Sequence, residues 1–388
     1  MIPKLPEHVA MITANNQLAD FATRIHNAPQ LAVDTEFQRE RTYYPKLCLV
    51  QIAGGNEIGL IDVLAIDDLA PLAALISEQG PTKVFHAAGQ DIEVLYQTLG
   101  YVPAPVADTQ IAAALTGLGD QVSYAHLVTA LTGVELPKAH TRTDWTRRPL
   151  STQVLDYAAD DVRYLAAIYR MLQERLQIRG RAAWAAAEYR ALTAPARLAP
   201  DPAAAWQRVR AWRQLDPAQQ QILAALAQWR EQQAMHADRP RKWIMADDTL
   251  IALAQRQPVT MAALGKVKSL PAKTVARHGS DLLAVIAAAA NHPAMPLAAD
   301  APVLTTTQKK IYKSARQALT ICARDSDIPA PMLARRRELE QLVSGERDLK
   351  MLRGWRAEVA GRTILDVVEG RRQIHGHGDA AQLIAVPS

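Results

Sequence analysis

A chain of 388 residues, 49% hydrophobic and 21% charged, has a globular balance and room for two or three cores, which excludes a disordered polymer. Its two cysteines, Cys48 and Cys322, show no metal-ligand spacing and are too few for a disulfide scaffold, so a reducing compartment is expected. The net charge of +5 hides an asymmetry of −7 over residues 1–175 and +12 over the rest, the pattern of an acidic catalytic part joined to a basic part that attracts polyanions, although an arginine-rich composition alone would give the same basic half.

The opening stretch MIPKLPEHVAMITANNQL lacks the basic, apolar and small-residue succession of a secretory leader, and no apolar run reaches bilayer-spanning length, so a soluble cytoplasmic protein is expected. Residues 31–37, 47–53 and 58–63 read as short strands, with Gly54, Gly55 and Asn56 marking a tight turn. A helix over 67–78, a strand over 83–88, a helix over 90–99, a strand near Val106 and helices over 109–116 and 123–131 follow. Ser151 is an N-cap for a long helix reaching 177. This order indicates a mixed sheet with helices on its faces. Pro195, Pro200 and Pro202 then mark a linker. Beyond it, Asp216 and Pro217 open a helix with an Ile222, Leu223, Leu226, Trp229 stripe, and helical patterns recur over 308–324 and 331–343.

Three acidic signals interrupt the first part. Asp34 and Glu36 stand two apart in an apolar strand and share a face, where two carboxylates repel unless a positive partner, most simply a divalent ion, lies between them. Asp91 opens the helix after the fourth strand, where ligand groups gather in α/β sheets. Tyr157 and Asp161 share a helix face, with Asp160 pointing elsewhere. Each has an ordinary alternative: a turn and edge pair, a dipole-favoured first-turn acid, a surface pair. His86 and His140 are rival bases by residue type, but His86 in its apolar strand reads as a satisfied core histidine. The loop from Lys138 to Pro149 offers Lys138, Trp145, Arg147 and Arg148 as substrate contacts, with the alternative that Trp145 anchors the loop.

Together DTEF at 34–37, HAAGQDIEVL at 86–95 and YAADDV at 157–162 resemble the three motifs of the DEDD superfamily of 3′-5′ exonucleases, in its tyrosine-containing branch. TYYPKLCLVQI at 42–52 and KAHTRTDWTRRPLS at 138–151 narrow the resemblance to the ribonuclease D family. The stretch from RPRKWIMADDTLIALA to GSDLLAVIAAA resembles an HRDC domain over about 213–292, and LRGWRAEVAGRTILDVV the end of a diverged second copy. The resemblance implies an α/β ribonuclease H-like exonuclease domain over 1–195, a linker over 196–212, and two all-α HRDC-like domains over 213–292 and 303–372, before a poorly ordered tail over 373–388.

It further implies a hydrolase releasing nucleoside 5′-monophosphates from RNA 3′ ends, especially those of tRNA precursors, with Asp34, Glu36, Asp91 and Asp161 holding two Mg²⁺ or Mn²⁺ ions. Tyr157 would aim the attacking water, since a phenol of pKa about 10 is a poor base at neutral pH. No heptad signal suggests an oligomer, so a monomer without an obligate protein partner is expected. The rival functions are DNA repair exonuclease and non-catalytic RNA-binding scaffold.

Overall fold

In the computed structural model a six-stranded mixed sheet forms around the apolar runs, and residues 9–137, 143–199, 201–291, 304–376 and 378–386 are described. Its strands are β1 (Met11–Ile12), β2 (Gln30–Gln38), β3 (Lys46–Gly54), β4 (Glu57–Ile61), β5 (Thr82–Phe85) and β6 (Val106–Asp108), in spatial order β1-β4-β3-β2-β5-β6. β3 and β4 form a hairpin, while β5 runs parallel to both β2 and β6. Gly55 turns the hairpin at φ +60°, in the position a type II′ turn reserves for glycine. β3 is buried at every residue after Lys46, as a strand covered on both faces must be.

The flanking helices are α1 (Asn15–Ile25), α2 (Ala70–Ile76), α3 (Gly89–Leu99), α4 (Thr109–Leu115), α5 (Tyr124–Thr132), α6 (Thr152–Arg163), α7 (Leu165–Ile178) and α8 (Ala182–Leu192). β1 and α1 precede the first element read from the sequence. Leu18, Phe21, Ala22 and Ile25 bury one face of α1, and Phe21 lies so close to β4 that a Cβ at Gly59 would sit 2.5 Å from its ring. The helix expected to run from 151 to 177 is two helices, divided at Tyr164.

By its contacts the chain divides into two units, one of residues 1–37, 47–194 and 301–388, the other of residues 38–46 and 195–300. The second is helical: α9 (Pro195–Leu198), α10 (Pro217–His236), α11 (Arg241–Ile244), α12 (Asp247–Arg256), α13 (Met261–Gly265) and α14 (Ala272–Ala290). The stripe read on α10 is buried throughout, and Asp216 and Gln219 close a capping box at its start. The expected linker is structured instead. Two 3₁₀ turns over 202–208 and 212–214 bring Trp206 and Trp212 edge to face at 4.7 Å inside this core, because two large apolar rings outweigh the helix-breaking prolines beside them. Residues 38–46 join the same unit: Asp238 accepts hydrogen bonds from the Tyr43 and Tyr44 amides, both 3.0 Å, and Tyr43 Oη donates to the buried Glu231 at 2.7 Å.

The C-terminal region adds α15 (Thr306–Ser326), α16 (Ala330–Leu333), α17 (Arg336–Val343), α18 (Gly354–Arg356) and α19 (Arg362–Val368) to the first unit. The tail expected to be poorly ordered carries a hairpin, β7 (Arg372–His375) and β8 (Gln382–Ala385), which sets Ile374 opposite Leu383. Its glycines and histidines mask two short strands, and Arg324 Nη2 anchors the turn region by donating to the Ala381 carbonyl at 3.1 Å.

This region is tied to α8 by charge and ring stacking. Arg356 donates to both oxygens of Glu188, at 2.5 and 2.9 Å, Lys350 adds a contact at 3.2 Å, and Trp355 stacks on Trp184 at 5.1 Å. Burial alone would raise Glu188, but the Arg356 hydrogen bonds outweigh it and hold the carboxyl at about 2. Replacing Arg356 with Met should therefore cost about 3 kcal/mol, the scale for breaking a largely buried pair. Because the folded pKa is depressed, wild type should hold this advantage above pH ~4.5 and lose it as pH falls toward 2, which thermal melts of both proteins across that range will check.

Candidate active site

β2 lies between β3 and β5, so a side chain near its end has helices and neighbouring strands on all sides. Asp34 and Glu36 project there from β2, Asp91 arrives from the first turn of α3, and Tyr157 and Asp161 from successive turns of α6. One carboxylate oxygen from each of Asp34, Glu36 and Asp161 falls within 4.8 Å of the others. Asp91, buried at 8% exposure, is held from the same strand: Thr35 Oγ1 donates to its Oδ1 at 2.5 Å.

No cation pairs with any of these four carboxylates among the described residues, and their proton affinities show the consequence. Burial, then repulsion from Asp91, Asp161 and Glu36, drives Asp34 well above the ordinary carboxylate range. Burial followed by Asp161 and Asp91 lifts Glu36 to about 8. Burial raises Asp91 to about 6 and Asp161 to about 7, against the lowering effects of Thr35 and Tyr157 respectively. Converging, desolvated oxygens without a counter-charge fit a hard divalent cation. Tyr157 donates to Asp161, and burial plus the surrounding acids push its phenol far above its usual value. It therefore stays protonated and acts as a donor.

Two residues the sequence reading passed over hold this cluster in place. Asp108, 3% exposed, ends β6 and caps α4 by accepting from the Gln110 and Ile111 amides at 2.8 and 3.3 Å. The same carboxylate accepts from the Ala87 and Ala88 amides at 3.2 and 2.9 Å, fixing the turn that launches α3 and Asp91, where Ala87 has φ +63°. An acid just before an apolar helix was a legible N-cap signal; its second set of donors was not. Tyr124 of α5 enters the helix ladder itself: its hydroxyl donates to the Asp160 carbonyl at 3.0 Å and accepts from the Tyr164 amide at 3.2 Å. Those two groups would bond each other in an unbroken helix, so this insertion divides α6 from α7 at Tyr164, three residues past Asp161. Asp160 itself pairs with Arg163 at 2.6 Å. His86 spends both ring nitrogens, on Thr109 Oγ1 and the Val122 carbonyl, each at 2.9 Å, as its core assignment requires.

Beside the carboxylates, a cavity of about 440 Å³ opens between α5 and α6, lined by Ser123, Tyr124, Leu136, Pro137, Gln153, Asp156, Tyr157 and Asp161. Its volume suits a nucleotide-sized ligand.

The proposed substrate contacts in the loop before α6 fare differently. Lys138, with His140 and Arg142, lies outside the described residues. Trp145 is buried at 8% exposure and offers no stacking platform. Arg148 cannot bind substrate phosphate, because all five of its N–H groups are engaged: two on Asp62, each at 2.6 Å, and three on the carbonyls of Cys48, Trp145 and Arg147. Of the three that are described, Arg147 alone is open to solvent, with Asp144 3.2 Å away.

Residues 9–177 match the family model of a 3′-5′ exonuclease and residues 219–286 that of an HRDC domain. A ribonuclease D of Sphingobium indicum is 41% identical over 374 residues, covering 93% of this chain and 95% of that protein. One from Gluconacetobacter diazotrophicus is 37% identical over 366 residues, covering 93% of each. Among solved structures, Escherichia coli RNase D, an exoribonuclease involved in structured RNA processing, superposes with a TM-score of 0.82 at 31% identity, over 93% of this chain and 99% of that one.

Folded-state pKa values raised to about 6, 7 and 8 at Asp91, Asp161 and Glu36 mean that the folded form keeps protons the unfolded chain has released above pH ~4. Stability of the metal-free protein should thus fall as pH rises from about 4.5 to 8. Saturating divalent ion should remove that slope and release protons at pH 7, measured by melts with chelator or metal and by titration in weakly buffered solution. Asp108→Ser keeps a cap for α4 but loses the bonds to Ala87 and Ala88. It should melt several degrees below wild type, because the two amides lose their acceptor, and while still folded at about 25 °C should bind divalent ion about tenfold more weakly, as outer-shell losses do; calorimetric metal titration reads the difference.

Proposed function

As this chain belongs to the ribonuclease D family of 3′-5′ exoribonucleases, we propose that it trims the 3′ ends of tRNA precursors and other small structured RNAs, releasing nucleoside 5′-monophosphates. The observation that carries the assignment of residues is the convergence of unpaired carboxylates beside a nucleotide-sized cavity.

Family membership implies divalent-metal dependence, and Asp34, Glu36, Asp91 and Asp161 would hold two ions, with Mg²⁺ or Mn²⁺ favoured by their all-oxygen donors. When bound, such a pair supplies hydroxide near neutral pH and neutralises charge on the attacking and leaving oxygens. The chain's own residues position the reactants. Tyr157, kept protonated by its acidic surroundings and donating its hydroxyl hydrogen to Asp161, offers the attacking water an acceptor oxygen and so orients rather than deprotonates it. Tyr124, Leu136 and Pro137 give the cavity apolar walls that receive the terminal base and exclude bulk water. Thr35 and Asp108 keep Asp91 in place without touching substrate. No helix of the described residues is long and apolar enough to cross a membrane; the action we propose is that of a monomer on RNA in the cytoplasm.

A 5′-labelled tRNA with a 3′ extension and a matched single-stranded DNA, each incubated with Mg²⁺, Mn²⁺ or chelator, test this reading. Stepwise metal-dependent shortening of the RNA is expected. Asp34→Asn should abolish it with RNA binding retained, and Tyr157→Phe should slow turnover on the order of 10²-fold. Shortening of DNA alone, or turnover persisting in Asp34→Asn, would contradict it.

A further inference from the structure

A one-sided run of charge lies on a helix that takes no part in the carboxylate cluster or its cavity. From Thr306 to Arg324 α15 contains no acidic residue, and its exposed face carries Lys309, Lys310, Lys313 and Arg316. Its apolar face is already used: Ala315, Ala318, Leu319 and Cys322, at the spacing of one helical stripe, are buried.

Elsewhere in the C-terminal region many cations have carboxylate partners, and the exposed Arg335, Arg337 and Arg362, which have none among the described residues, are not aligned along one helix face. Arg336 meets Glu340 at 2.8 Å, Arg347 meets Glu369 at 3.1 Å, Arg371 meets Asp366 at 2.6 Å, and Lys350 and Arg356 share Glu188. None of the four α15 cations pairs with a carboxylate of the described residues. They repel one another as well, since Lys309 and Lys313 are four apart and Lys313 stands three from both Lys310 and Arg316; such like-charged neighbours weaken a helix as much as opposite pairs strengthen it. Uncompensated repulsion on a fully folded face points to a polyanion that relieves it.

We infer that the solvent face of α15 is a phosphate-binding surface for the RNA body, distinct from the site that takes its 3′ end. The inference rests on the exoribonuclease reading and deepens it. Lys309 to Arg316 spans about 10 Å of helix axis at 1.5 Å per residue, and phosphates of one duplex strand advance about 3.4 Å each. The row therefore meets roughly three phosphates, without reading bases. A membrane-surface helix needs an exposed apolar face; none of the large exposed hydrophobic side chains belongs to α15.

The full-length triple variant Lys309→Gln, Lys313→Gln, Arg316→Gln tests this. Its affinity for a structured RNA with a 3′ tail should fall at least tenfold near 0.1 M salt, and the slope of log affinity against log salt should shrink by about two to three. KM for that RNA should rise with kcat unchanged, turnover of a ribodinucleotide should stay at the wild-type level, and the melting temperature should hold or increase. Unchanged affinity and slope would overturn the inference, as would an equal loss on the dinucleotide. Loss of binding to anionic vesicles with RNA affinity retained would assign the face to a membrane and overturn it equally. Should the wild type shorten no RNA at all, the exoribonuclease reading fails, while the binding titrations still report on α15.

Discussion

Repulsion among four carboxylates, one buried and three half-buried, is the constraint on which the arrangement of the first unit depends. Left to themselves, Asp34, Glu36, Asp91 and Asp161 would separate or protonate, and their raised proton affinities record that tension. The fold opposes separation from three directions. The central strand fixes the first two by backbone alternation, Thr35 and Asp108 fix the start of α3, and the Tyr124 hydroxyl fixes the end of α6. The cluster so built is held in place by the fold, and what it lacks is counter-charge rather than geometry.

Elements with a strong local signature were legible in the sequence. Alternation gave β2 and its paired acids; the apolar run gave β3; the Asp216 cap, Pro217 and the apolar stripe gave α10. α1 carries an equally regular stripe, Leu18, Phe21, Ala22 and Ile25, but Ala14 at its N-cap makes no side-chain cap and its first turn holds no acid, so no local signal marks its start. The Arg148 error has a different origin. A loop with several arginines looks like a phosphate clamp, but only the fold reveals that Asp62, 86 residues earlier, and three carbonyls absorb every donor of one of them. Tyr124 was invisible for the same reason: its partners are backbone groups 36 and 40 residues away.

The prolines after residue 194 misled in another way. Pro195 and Pro202 sit at the starts of short helical turns, where a missing amide costs nothing, and the tryptophans that follow supply the apolar area that turns a presumed linker into core. Breaker residues report where regular hydrogen bonding stops, and say little about where packing stops.

The membership of residues 38–46 in the second unit bears on how this protein can have changed over evolutionary time. The covalent chain passes between the two units four times, and the segment that follows Glu36 by two residues finds the acceptors for its tyrosine amides on α10. A gene ending near codon 195 would therefore encode a catalytic half with two orphaned amides and a stranded phenol a few residues from the strand that carries Asp34 and Glu36. Losing the helical module would require compensating changes in that short connection, so the two parts are bound to be inherited, and to drift, together.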